Sequence, residues 1–343
     1  MITKDPALME LEDRFLSDLE RIASNLIKYC DVAHAKTVGH LSEAILRWMD
    51  FRLRFVEPKP RQVLYSNKFP KALPAEVDRA LRAFDRANVL GEDINPFQGK
   101  GLTLFHDVSA ENRAKRTDHL WADWGIHHFH MAPLPSDPSK YYSTRSGPLL
   151  FTKVFDNAIA FIDVGDHEAL EDQTLLETFV RNWPEAAESF RLKGVLFSSA
   201  RHSAAEIKQM RVAGLATYTA IDGKAYLPNF GITTASTSSQ VSLARNNVVR
   251  GARDLARCVL NPTQPLIPEI SASGVNPKEL SLDLTPRGIG IFGTDKNQCW
   301  LVPDAKGPWA QSSIGKMSVL MLPEWLLQKI QSASVNEALQ SAD

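Results

Sequence analysis

No stretch of this 343-residue chain approaches the roughly 18 uninterrupted apolar residues that a membrane-spanning helix needs. Cysteine is scarce. Cys30, Cys258 and Cys299 stand far apart, without the close pairs of a structural zinc site, and their odd number argues against a disulfide framework. An excess of one charge is missing too: 39 Lys and Arg against 40 Asp and Glu leave a formal charge of -1, so a nucleic-acid partner would have to be held by a local patch or groove. The N-terminal MITKDPALMELEDRF carries acidic residues where a secretory signal has a basic start and an apolar run. Together these absences lead to the expectation of a soluble, cytoplasmic protein in a reducing compartment, with no membrane contact. Also absent are the HExxH spacing of helical zinc proteases, the GKS/T ending of a nucleotide-cradling loop, internal repeats and a low-complexity tail.

What is present is enough apolar residue, 44%, to build a substantial core. Leu11, Phe15, Leu19, Ile22, Leu26 and Ile27 recur at helical spacing and predict an amphipathic helix over residues 8–30. A second is predicted over 38–55 on Leu41, Ile45, Trp48 and Leu53, and a third from Pro74 through Ala87. From Leu120 the period changes to two, and WGIHHFHM reads as a strand. GPLLFTKVFDNAIAFIDVGDH follows as two apolar runs broken by Asp156-Asn157, a hairpin signal, so three antiparallel strands are expected. Residues 168–190 return to helix with a break at Pro184, and 204–214 are helical again. TYTAIDGKAYLP predicts a hairpin turning at Asp222-Gly223, and a helix runs over 241–259. ELSLDLT, GIGIFG and QCWLVP read as extended, before a closing helix from Pro323. The expected fold is α+β: a helical region over 1–117, a central antiparallel sheet within an α+β core over 118–260, and a β-rich C-terminal portion over 261–343.

Candidate chemistry concentrates in HLWADWGIHHFHM, residues 119–131, which holds four of the nine histidines. Imidazole titrates near neutrality and is the commonest metal ligand, so such crowding marks a site. On a strand His128 and His130 share one face, while His127, Phe129 and Met131 share the other. His167 ends the second hairpin strand, and pairing of that ribbon beside the histidine strand would bring a third imidazole to the first two, with Asp163 and Asp166 nearby. The competing reading makes His127 a surface residue and His128 and His130 structural, bonded to main chain. Tyr141, Tyr142 and Arg145 lie in the loop between the histidine strand and the hairpin, where arginine could clamp phosphate and tyrosine could stack or transfer a proton.

Other patterns are weaker. Arg47, Arg52, Arg54, Lys59 and Arg61, with Trp48 and Phe51 interleaved, form a basic run suited to nucleic acid or to a solvated helix face. GITTASTSSQ offers hydroxyls before a helix and reads as an anion site or a capped loop. Most tryptophans sit in apolar contexts and are expected in cores.

The hairpin LLFTKVFDNAIAFIDVGDH resembles the sheet core of the RelE/ParE-type toxin superfamily, whose second strand closes on a Val-Gly-His type ending; here Asp166 is inserted between Gly165 and His167. The resemblance implies a small twisted sheet with an RNA-cleaving face, on which basic, His and Tyr side chains act without a metal on the 2′-hydroxyl and the scissile phosphate. The stretch 118–184 also resembles bacterial proteins encoded among mobile-element and phage-defence genes. Arg113 and His119 have an R-x5-H spacing that resembles HEPN ribonucleases. Against the toxin pattern, Asp163, Asp166, Glu168, Glu171 and Asp172 would repel a phosphate backbone unless a cation intervened.

Three functions follow as expectations. The first is a nuclease-like hydrolase, in a bacterial toxin or phage-defence setting, binding RNA and cleaving it without a cofactor through His128, His130 and His167, with Arg145 and Tyr142 assisting. The second is a metal-dependent hydrolase in which His128, His130, His167, Asp163 and Asp166 supply ligands to a divalent ion such as zinc. The third is a non-enzymatic interaction protein with structural histidines, and a homodimer through the N-terminal helices is the self-association expected.

Overall fold

The computed structural model describes residues 5–340 apart from 33–42, 104–117, 138, 146, 172, 197–202, 204, 207–208, 211–212, 214–217, 229–230, 234–236, 262–267 and 295–296. The chain divides into two compact units, one made of Met1–Leu53 with Val241–Asp343 and the other of Arg54–Gln240. No helix among the described residues is long and apolar enough to cross a membrane.

The first unit begins with α1, Pro6–Tyr29, whose start is set by Asp5: the carboxylate accepts the Ala7 N–H, and Pro6 occupies the first turn. Its predicted apolar stripe, Leu11 to Ile27, is buried within this unit. Helix α2, Ala44–Arg54, follows and is shorter than the 38–55 expected: Glu43 is not helical, and 38–42 lie outside the described residues. Trp48 is buried on it and its indole N–H donates to the Met321 carbonyl at 2.9 Å.

The second unit is built on a mixed sheet. Strand β1, Gln62–Tyr65, precedes α3, Ala75–Leu90; then come α4, His119–Trp124, and β2, Ile126–His130. Strands β3, Leu149–Val154, and β4, Ala158–Gly165, form the hairpin expected at Asp156-Asn157, closed by the Phe155 N–H donating to the Ala158 carbonyl. The order is β1-β4-β3-β2, with β1 parallel to β4 and the other pairs antiparallel. The fold is α+β and the three expected strands pair antiparallel, with β1 added in parallel at the edge beside β4. β1 was not anticipated: its four residues pair with a strand more than 90 positions away, and no local turn announces a parallel partner. The expected strand onset at Leu120 is also corrected, because Asp118 caps α4 by accepting the Trp121 N–H and Gly125, at φ 61, ends it.

Both faces of this sheet are apolar and both are covered. On one side α3 packs Val77, Leu81 and Phe84 against Phe129, Leu150, Ile159 and Phe161. On the other, α5, Gln173–Asn182, and α6, Pro184–Ala187, bring Leu175, Leu176, Phe179 and Ala187 onto Ile126, Leu149, Phe151 and Ile162. Burying a phenylalanine of this kind contributes about 1.5–3 kcal/mol, so the aromatic rows of both layers hold the strands in register. The break at Pro184 falls as predicted. Strands β5, Arg191–Leu196, β6, Thr219–Ile221, and β7, Lys224–Tyr226, make a second sheet of order β5-β7-β6, with the predicted turn at Asp222 and Gly223, both at positive φ. The helix expected over 204–214 lies largely outside the described residues.

Helix α7, Ser239–Val259, leads back into the first unit. After α8, Pro268–Ala272, come the expected strands β8, Ser281–Thr285, β9, Gly288–Phe292, and β10, Cys299–Leu301, an antiparallel sheet of order β10-β9-β8. The edge of β8 is covered by α1: Asp18 accepts the Leu282 N–H at 2.8 Å and Arg21 donates to the Leu282 carbonyl at 2.6 Å. Helices α9, Ser313–Met321, and α10, Glu324–Gln340, complete the C-terminal portion beside its strands; α9 was not anticipated. It crosses α7 at Gly251, where a Cβ would collide with that of Met317. The compact units thus cut the chain differently from the three consecutive segments read in the sequence. The reason is that α1 packs with the C-terminal strands, while β1 and α3 belong with the central sheet.

Candidate active site

The site grows from two short elements. Asp118 starts α4, and its place at the helix N-terminus aims one carboxylate oxygen at the Trp121 N–H. The other, Oδ2, lies 2.8 Å from Nδ1 of His128 on β2. Burial alone would raise the Asp118 pKa, but the charge and hydrogen bond of His128 and the Trp121 N–H outweigh it and hold the carboxyl at about 2. Burial likewise pulls His128 down, and the Asp118 carboxylate more than reverses this, so His128 holds its proton above the ordinary imidazole range. With Nδ1 engaged, Nε2 is the atom left to exchange protons.

As the alternation requires, His130 shares the His128 face; their ring centroids are 6.0 Å apart. His130 is only 4% exposed, and beside it the chain passes at Gly99, where a Cβ would lie 3.7 Å from Nε2. His167 completes the row, its centroid 5.9 Å from that of His130. Strand register explains the approach. His130 pairs with Leu149 and Leu149 with Gly165, so a residue without a side chain stands in the row and the turn at His167–Glu171 folds back toward the histidines. His167 is exposed, and its pKa is lowered by desolvation first, then by the charges of His128 and Arg145, against a weaker pull from Asp166. The three imidazoles are thus consecutive neighbours in one row, His130 in the middle.

Arg145 is exposed, and its charge acts on both His128 and His167. Its loop is tied down at three consecutive residues. Tyr141 donates to Asp93 Oδ2 at 2.6 Å, Tyr142 shares a 2.7 Å hydrogen bond with Thr103, and the Ser143 N–H donates to the Pro96 carbonyl at 2.9 Å. Tyr142 therefore holds the arginine loop in place.

The carboxylates proposed as metal ligands point elsewhere. Asp163 lies in the His128 row, but Phe151 of β3 stands between them, which separates the two by about 10 Å across two strand spacings. Its Oδ1 accepts the Val164 N–H. Asp166 caps the turn after β4, accepting from the Glu168 and Ala169 N–H groups. Zinc would need ligand nitrogens about 3.3 Å from one another. Among the described residues no three His, Cys, Asp or Glu side chains form a group that could hold a metal ion.

His127 is not the surface residue anticipated. It faces the opposite layer, stacked on Phe129 at 6.0 Å and edge-on to Trp121 at 6.4 Å, and burial pushes its pKa down to about 3. Arg113 lies outside the described residues, so the Arg113–His119 pairing does too; His119 opens α4. Most of the basic run is bonded to protein groups and does not form one solvated face. Arg47 is buried against Asp50, Arg54 donates to the Gly101 carbonyl, Arg61 donates to the carbonyls of Phe155, Glu57 and Lys59, and Lys59 pairs with Asp156. The three buried arginines are held by these partners, and Lys59 pairs at the surface. Sequence reasoning missed Asp118, though the signal was there: Asp-His-Leu-Trp ahead of Ala-Asp-Trp-Gly has a helix cap at each end. No protein-family model, no curated protein and no solved structure matches this chain.

Proposed function

We infer that this chain cleaves RNA phosphodiesters by histidine general acid–base catalysis at the His128–His130–His167 row. One observation carries the reading: two imidazoles flank His130 at about 6 Å steps, one paired with a carboxylate that keeps it protonated, the other held toward its neutral form beside an arginine. Titratable groups whose surroundings push their proton affinities apart make an acid and a base at one pH. Neutral His167 takes the proton from the ribose 2′-hydroxyl. The freed O2′ attacks phosphorus, Arg145 offsets the charge on the equatorial oxygens, and His128 gives its Nε2 proton to the departing 5′-oxygen. The products are a 2′,3′-cyclic phosphate and a 5′-hydroxyl. His130, recessed between the two, donates to or accepts from the phosphate and fixes its depth.

The test pairs RNA with DNA of the same sequence and adds a chelator. The expected outcome is cleavage of RNA only, with cyclic phosphate ends, unchanged by EDTA. Cleavage of DNA, or loss of RNA cleavage in EDTA that zinc restores, would overturn the mechanism in favour of metal-bound water.

A further inference from the structure

We propose that the substrate is single-stranded, with a base stacked on Tyr141 while its neighbouring phosphate enters the histidine row; the proposal rests on the RNA-cleaving reading above. Three independent observations lead to it. First, the row is narrow: His167 is exposed, His128 retains 20% of its side-chain surface, and His130 between them is only 4% exposed. A phosphate that meets the whole row must approach His130, the most buried of the three rings, between its two neighbours. A flexible strand can turn one phosphate toward a narrow row of rings, whereas a duplex is stiff and holds its backbone in a fixed helical course. In-line attack by O2′ also needs the nucleotide to turn out of helical geometry.

Second, Tyr141 is 43% exposed, yet it is not loose. Its hydroxyl donates to Asp93, its ring lies edge-on to Tyr142 at 4.9 Å, and the next two residues are bonded to Thr103 and Pro96. A pre-positioned aromatic face four residues from Arg145 is a stacking platform, and it carries little ordering cost on binding. Third, the net charge is -1, and among the described residues Arg47, Arg54 and Arg61 of the basic run at 47–61 are buried and bonded to protein groups, so that run offers little to a duplex backbone. Base stacking supplies affinity that charge does not. Tyr141 is thus a specificity residue, outside the proton-transfer machinery.

A fluorescein-labelled oligoribonucleotide, alone and annealed to its complement, is offered to the wild-type chain and to Tyr141→Ala and Tyr141→Phe. The single strand should be cut at least about tenfold faster than the duplex, and Tyr141→Ala should raise KM for the single strand about tenfold with kcat within about twofold. Tyr141→Phe, which keeps the ring and loses only the bond to Asp93, should retain the wild-type KM. Fluorescence anisotropy with the 2′-deoxy single strand, which the proposed chemistry cannot cut, should show the same loss on Tyr141→Ala. Equal cleavage of the duplex, or unchanged KM and unchanged deoxy-strand binding in Tyr141→Ala, overturns the single-strand assignment and leaves the cleavage reading standing. Binding of the deoxy strand that depends on Tyr141, with no RNA cut, does the reverse.

Discussion

His127 and His128 are neighbours in the chain and feel the same carboxylate, Asp118, yet they end on opposite faces of β2 with opposite proton affinities. On the His128 face the carboxylate is in direct contact at 2.8 Å, and it outweighs burial. On the His127 face there are the rings of Trp121 and Phe129; burial dominates, the Asp118 charge opposes it, and the charge of Lys153 adds to it. Lys153 is itself lowered to about 8 by burial, its ammonium donating to the Trp124 carbonyl. The difference teaches that a histidine cluster acquires chemistry through a contacting partner, and that crowding alone leaves a neutral packing group.

That contrast can be broken most decisively by exchanging the two residues' fates. His128→Ala should lower kcat for RNA cleavage by about 10²–10⁴-fold, the usual yield of a positioned acid, whereas His127→Phe should keep activity within a few-fold. Comparable losses in both variants would erase the distinction between the faces. A subtler change sharpens it. Asp118→Asn keeps an oxygen for the Trp121 N–H but removes the charge that holds the His128 proton, so the His128 pKa should fall and its protonated fraction at neutral pH should shrink. The expected loss in kcat is on the order of 10-fold, and the alkaline limb of the pH–rate profile should move to lower pH, with the His128 resonance in NMR titration moving alongside. An unmoved limb would mean that His128 is not the acid.

The smallest effect is on stability, and the two histidines act at opposite ends of the pH scale. His127 binds its proton in the folded chain only near 3, well below the ordinary 6.5, so the unfolded state takes up more protons between those values. Its contribution is therefore present above about 6.5 and is lost as pH falls, by on the order of 1–2 kcal/mol near pH 5. His128, raised, contributes below the ordinary value and loses that contribution as pH rises through its folded pKa. Asp118, depressed to about 2 from 3.8, contributes above the ordinary carboxyl value and is lost only in stronger acid. Urea melts across this range should show a shallower acid slope for His127→Phe than for the wild type. An unchanged slope would place the acid sensitivity elsewhere.

Much of this architecture is legible in local signals. The β3–β4 and β6–β7 hairpins announce themselves through Asp-Asn and Asp-Gly turns between alternating runs, and α1 through its apolar stripe. The shared face of His128 and His130 follows from the period of a strand. Asp118 was obscured because a six-residue helix directly before a strand reads as part of that strand unless its caps are noticed. The basic run misled because arginine in sequence does not reveal whether its guanidinium meets solvent or a backbone carbonyl. Asp163 and Asp166 misled because nearness in the chain says nothing about the Phe151 ring between strands or about a cap.

Periodicity and turn chemistry are short-range properties, so the order of residues alone sufficed for most of the longer elements, for the hairpins and for which imidazoles share a side. Pairing of distant segments is not short-range. The parallel seat of β1 beside β4, the fold-back that carries His167 to within 5.9 Å of His130, and the contact that joins Asp118 to His128 came into being only once separate elements packed. A proton affinity depends on burial and on charges a few ångströms away, and those distances exist only in the folded chain.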